Sequence, residues 1–135
     1  MTLHLLLDAE RGLHTDADPD GLAAQTALLV AYSSAMSAAA LDNDTADNWT
    51  FAALSIREGL GRLTEQLHDV PTPIADPPQL DPQNITEARP RIRALVAALA
   101  AFYTAAAQRE SGLPWRRLAW ASVAQHLDRA ARETP

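Results

Sequence analysis

Ile92-Arg-Ala-Leu-Val-Ala-Ala-Leu-Ala-Ala-Phe-Tyr103 is the stretch on which the fold turns. Its large apolar residues Ile92, Leu95, Leu99 and Phe102 fall 3, 4 and 3 apart, and Ala106 and Arg109 continue the rhythm. That spacing is the apolar seam of a helix that lies against other helices. Ala94, Ala97, Ala98, Ala100 and Ala101 keep the helix thin and favour it intrinsically. A thin helix with one bulky stripe suits the middle of a bundle.

The segments on either side repeat the pattern. Trp49, Ala53, Ile56, Leu60, Leu63 and Leu67 follow 4, 3, 4, 3, 4 and mark a second seam. Gly59 and Gly61 on that helix each cost about 1 kcal/mol relative to Ala, or permit a close crossing. Upstream, Asp18-Pro19-Asp20 reads as a helix start, with an acceptor, a proline at the first helical position and an acid at the positive end of the dipole. The helix it opens runs to about Leu41. Leu22, Leu29 and Met36 recur every seven residues as its main stripe, with Ala23, Ala27, Ala31, Ser34 and Ala38 as a small-residue face. Leu28 and Tyr32 fall off that stripe, leaving apolar surface for a neighbouring chain.

Asp42 to Asn48 is a turn rich in capping residues, and one of Asp44, Thr45 or Asp47 opens the next helix. Residues 70–84 hold five prolines and no helical pattern, so they cross the surface as a linker anchored by Ile74 and Leu80. The Ile92 helix starts near Asn84 or Thr86, where Asn84 and Glu87 form a capping box, and Pro90 favours the later start. Gly112 serves as its C′ residue after Ser111. Pro114 begins a last helix with Trp120, Val123, Leu127 and Ala130 inward, Trp115, Leu118 and Ala119 beside them, and a frayed end.

The resulting expectation is an all-α chain: an antiparallel four-helix bundle over residues 18–135, with a proline-rich crossover at 70–84 between the second and third helices. Residues 1–17 precede it as a segment whose five leucines pack on the bundle or on a second subunit. They form either a short helix broken at Gly12 or an edge strand.

Composition narrows the chemistry. With 135 residues the chain can bury a core unaided. The absence of cysteine excludes disulfides, thiolate metal sites and thiol nucleophiles. Residues 1–83 carry thirteen acids against three arginines, and residues 84–135 four acids against eight arginines. The two halves complement each other within one fold, or the second half offers a basic face to a partner. The net charge of −6 disfavours nucleic acid. No apolar run approaches the roughly 18 residues of a membrane span, and no basic region precedes Leu3–Leu7. A cytoplasmic location without membrane attachment follows as the expectation.

Candidate sites are few. If the four helices alternate up and down, one end collects Met36, Trp49, Phe102, Tyr103, Trp115 and Trp120. Its loops bring Asp42, Asp44 and Asp47 near Arg109, Arg116 and Arg117. The candidate ligand site is therefore Trp49, Phe102, Tyr103, Trp115, Trp120 and Arg116, suited to a planar or anionic small molecule. The plainer alternative is a plug of large side chains closing an alanine-rich core. Glu65 and His68 have the spacing of a bundle metal site but lack the other ligands, so neither metal nor cofactor is expected. His126 has no legible acid and nucleophile in sequence, and Ser33, Ser34 and Ser37 lie on a helix rather than at a strained turn. Arg89, Arg91 and Arg93 crowd a helix N-terminus, where acids 76 and 81 are expected to compensate. The functional expectation is a non-enzymatic protein-interaction module forming a homodimer, through the Ala/Ser-rich helix or the N-terminal leucines. The alternative is a small-ligand-binding bundle.

Overall fold

Among the described residues the chain forms five helices, not four. The computed structural model describes residues 2–41, 43–65, 80–109 and 112–135, and all regular structure among them is α-helical. The leucines that precede Asp18 form a full helix of their own, α1 (Thr2–Thr15). Leu6, Ala9 and Leu13, at spacings of 3 and 4, are its buried stripe. Gly12 does not break it: a Cβ there would meet the Ala23 Cβ at 3.6 Å, an ordinary packing distance between α1 and the next helix. The helix ends where the Thr15 hydroxyl and the Asp16 N–H both donate to Gly12 O.

The remaining helices are α2 (Leu22–Leu41), α3 (Ala46–Thr64), α4 (Ile85–Ala107) and α5 (Pro114–Glu133). α2 begins three residues later than Pro19. Asp18 to Gly21 is instead a β-turn, closed by Gly21 N–H on Asp18 O at 3.1 Å, with proline at its second position. The Asp18 carboxylate accepts the Asp20 N–H inside the turn. α3 does start at Thr45, although the threonine side chain makes no capping bond. At α4 the capping box is absent: Asn84 Oδ1 accepts the Asp81 N–H, while Asp81 Oδ1 accepts from Gln83 and Asn84. Pro90 lies within α4. The bond it cannot make would have gone to the carbonyl of Thr86, an exposed residue.

Arg109 and Gly112 lie beyond the end of α4, which closes at Ala107 with Gln108 N–H returning to Ala105 O. Gly112 is not a left-handed cap. It is glycine because a Cβ would fall 2.8 Å from the Trp120 ring. Pro114 opens α5 as expected, and Thr134, far from frayed, is buried and bonded to Ala130 O and Ala131 O. Residues 66–79, which take in the seam residue Leu67 and most of the proline-rich linker with Ile74 and Asp76, lie outside the described residues.

α2, α3, α5 and α4 form a closed ring of neighbours in that order, and α1 fills the groove between α2 and α4. The specific four-helix bundle is therefore corrected to a five-helix packing, because the leucine stripe of α1 needs cover and finds it on two helices. One buried cluster joins all five: Ile92, Leu95 and Leu99 of α4 meet Trp49, Ala53, Ile56 and Leu63 of α3, with Leu60 only partly buried against them. The α4 seam continues through Tyr103, which is fully buried, rather than Phe102. On α5 the inward set is Arg116, Trp120, Val123, Ala124, Leu127 and Ala130, while Trp115 and Leu118 face outward.

α2 is turned opposite to expectation. Its buried face is Ala24, Ala27, Leu28, Ala31, Ser34, Ala35 and Ala38, and its heptad stripe faces out, with Leu22 50% and Met36 41% exposed. A helix wedged among α1, α3 and α4 must present small residues to let three backbones approach. The Ala/Ser face and the leucines Leu6 and Leu13 are thus consumed internally and are not open to a second subunit. α2 is also long and apolar enough, by length and composition alone, to cross a membrane, with half of that span buried inside the protein. This corrects the expectation that no segment reaches such a length.

Chain direction follows from cross-helix contacts. The α2 N-terminus, the α4 C-terminus, the α5 N-terminus and the α3 C-terminus share one end, where Asp20, Tyr103, Arg116 and Leu63 meet. α3 and α4 therefore run parallel across the diagonal of the ring, their backbones kept apart while their side chains share the buried cluster.

Candidate functional site

The parallel run of α3 and α4 divides the aromatic residues. Trp49, in the first turn of α3, is fully buried at the opposite end from Tyr103, Trp115 and Trp120. Met36, near the α2 C-terminus, goes with Trp49. The expected single aromatic pole is thus two separate groups. Asp44 and Asp47 lie at the Trp49 end, so they do not face Arg109, Arg116 or Arg117, and Asp42 is outside the described residues.

What stands at the other end is a polar hub built on one carboxylate. The turn before α2 projects Asp20 toward α5, where its two oxygens accept Arg116 Nε at 3.0 Å, Arg116 Nη2, and Trp120 Nε1 at 2.9 Å. Arg116 is 3% exposed, and its Nη2 also donates to Leu63 O at the end of α3 (2.9 Å). A charge so buried needs both an ion partner and satisfied donors. The position of Arg116 two residues after the α5 start, with Trp120 one turn on, puts both donors on the face toward Asp20.

Tyr103 extends the hub to α4. Its phenol donates to Pro19 O at 2.8 Å, and its ring meets Phe102 edge-on at 5.2 Å. Burial first, then the Asp20 carboxylate, push the phenol well above its ordinary range; Asp18 adds to this and Arg116 opposes it. Gln25, also buried, donates to Asp20 O. Arg109 Nη1 reaches Ala17 O at 2.8 Å, and Arg117 Nε reaches Ala107 O at 3.3 Å. Trp115 is 44% exposed, with the Arg116 guanidinium 5.3 Å from its ring centre. Of the six candidate residues, then, four gather at this hub or its rim with Phe102 alongside Tyr103, and Trp49 is separate. In chemical terms the hub ties four segments together, and its donors are aimed at protein acceptors except for Arg116 Nη1, which is buried without a hydrogen-bond partner.

His126 of α5 has an acidic neighbour that spacing did not reveal, although its buried Nδ1 makes no hydrogen bond. Its Nδ1 lies 3.3 Å from Glu58 Oε2 on α3, beside Gly59, where a Cβ would stand 3.4 Å from the His126 Cβ. A Cβ at Gly59 would make ordinary van der Waals contact with α5, whereas Gly61 faces open space. Ser33, Ser34 and Ser37 are on α2, which does not touch α5. Among the described residues no group of three or more His, Asp or Glu side chains is placed to hold a metal ion; His68 is outside them.

Two surface features went unread in sequence. Leu113, Trp115 and Leu118, within one turn of the α5 start, are 58%, 44% and 73% exposed. Between α1 and α2 runs a groove of about 400 Å³ lined by Leu5, Ala9, Leu22 and Val30, with Asp8 and Asp16 on its lip. The apolar alternation that would betray such a knob is cut short by the helix start, and the groove exists only because α1 is a helix.

Fold and hub together define an all-α protein, with five helices among the described residues and a buried acid–arginine centre. Comparison with protein-family models, with curated proteins and with solved structures gives no match to this chain.

Proposed function

We propose that the chain is a protein-interaction module, non-enzymatic and cytoplasmic, that works as a homodimer. The observation that carries this reading is the large apolar surface left outside the core: Leu22, Met36, Phe51, Leu54, Leu113, Trp115 and Leu118 are all more than 40% exposed. Contiguous exposed apolar side chains at one helix start mark a place where another surface sits. The lack of cysteine accords with a reducing compartment, since small secreted domains usually rely on disulfide staples.

The alternative, a planar or anionic ligand at the aromatic residues, has less behind it. Asp20 already neutralises Arg116 and takes the Trp120 N–H, and Tyr103 is directed to Pro19 O. Sedimentation equilibrium tests the homodimer directly. The expected result is a species of twice the 14.6 kDa chain mass at micromolar concentration. A single monomeric species throughout the micromolar to millimolar range overturns the reading.

A further inference from the structure

We infer that two copies pair reciprocally, the Leu113–Leu118 knob of each entering the α1/α2 groove of the other. This rests on the homodimer reading and assigns its surface. The knob is apolar with one available charge, Arg117, and residues 112–127 hold no acid. The groove is apolar and acidic: residues 2–41 hold five acids and one arginine, and two of those acids, Asp8 and Asp16, line it. Leu118, the most exposed of the large apolar residues at 73%, is the anchor. Leu5, Leu22, Ala9 and Val30 form the walls and floor that receive it. Arg117 then approaches the carboxylate lip, where Asp8 has only a long, exposed contact with Arg11 at 3.9 Å. Arg116 takes no part, being held by Asp20.

A groove of about 400 Å³ accepts two large side chains, since clefts of roughly 300–1,000 Å³ bury whole drug-sized molecules. The knob cannot enter the groove of its own chain, because α5 packs on α3 and α4 and touches neither α1 nor α2. Knob and groove lie toward the same end of the molecule, where Arg109 reaches Ala17. A two-fold axis near that end makes each contact twice and closes the assembly as a dimer rather than a filament.

The test is sedimentation equilibrium on the wild type, on Leu118→Asp (knob) and on Leu22→Asp (groove wall), alone and mixed. Both positions are at least half exposed, so folding is retained; Leu118→Gln and Leu22→Gln replace any Asp variant that loses its melting transition. Each variant alone should dimerise at least about tenfold more weakly, as loss of an interface anchor does. The mixture should recover, because the heterodimer keeps one undamaged contact, the knob of the Leu22 variant in the groove of the Leu118 variant. A wild-type monomer sinks both this pairing and the homodimer reading. A wild-type dimer whose variants associate equally well leaves the homodimer reading standing and overturns this surface. Weakened variants that show no recovery on mixing overturn the knob-in-groove pairing itself.

Discussion

Asp20 carries more of the structure than any other single side chain outside the apolar core. It neutralises a guanidinium that is 3% exposed and takes the Trp120 N–H as well. Removing one member of a buried ion pair leaves the other charge stranded, at a cost of about 3–5 kcal/mol. Asp20→Ala should therefore lower the unfolding free energy by about that amount in urea titrations; a change below about 1 kcal/mol would mean that water reaches Arg116 freely. Tyr103 supplies a pH signature. Its phenol is held protonated in the fold, while in the unfolded chain it ionises near 10. Above that pH the unfolded state binds fewer protons than the folded one, so stability falls as pH rises, by about 1.4 kcal/mol per unit. Tyr103→Phe should flatten this alkaline loss relative to wild type, at a cost near neutrality of about 1 kcal/mol for the bond to Pro19 O. Equal alkaline slopes in the two proteins would show that the phenol is solvated. The sequence pattern gathers Tyr103, Trp120 and Arg116 at one end but leaves out the carboxylate that they surround. Asp20 and Arg116 are 96 positions apart, and a side-chain pair leaves no periodic trace.

Periodicity succeeds at the level of the element when a helix buries one side. The α3 and α5 seams from Trp49 to Leu63 and from Trp120 to Ala130 were read correctly in their main residues. It fails on α2, which has three neighbours: the widest buried arc goes to small residues with Leu28 and Val30 among them, and Leu22 and Met36 of the heptad stripe are turned outward. It also misjudged the end of the α4 seam, where the phenol of Tyr103 has a carbonyl within reach and the ring of Phe102 has none. These differences grade the core. Leu99 is fully buried, and Leu99→Ala should cost about 2–5 kcal/mol. Leu60 shares the rhythm of its helix but sits at the margin of the cluster, so Leu60→Ala should cost clearly less than Leu99→Ala. Thermal and urea melts that rank Leu60→Ala above Leu99→Ala would mean that α3 is rotated about its axis from the arrangement described.

The path of the chain through the whole molecule is what sequence patterns constrained least. A long proline-rich linker can return the chain to either end, and the aromatic pole depended on the wrong choice. With α3 and α4 parallel, Glu65 just past α3 and Gln108 just past α4 lie at one end, while Glu87 lies at the other. Neighbouring helix axes are about 10 Å apart, which makes the diagonal of the ring about 14 Å. α4 is 23 residues long and therefore rises about 34 Å. The chain has no native cysteine, so paired cysteines can be introduced and spin-labelled without background. All three positions are exposed and tolerate a label. Labels at 65 and 108 should report a separation near the diagonal, broadened by label length, and labels at 65 and 87 should be about 20 Å farther apart. The reverse order is what an alternating up-and-down chain would give. That result would return Trp49 to the company of Tyr103 and Trp120, and with it the single aromatic pole.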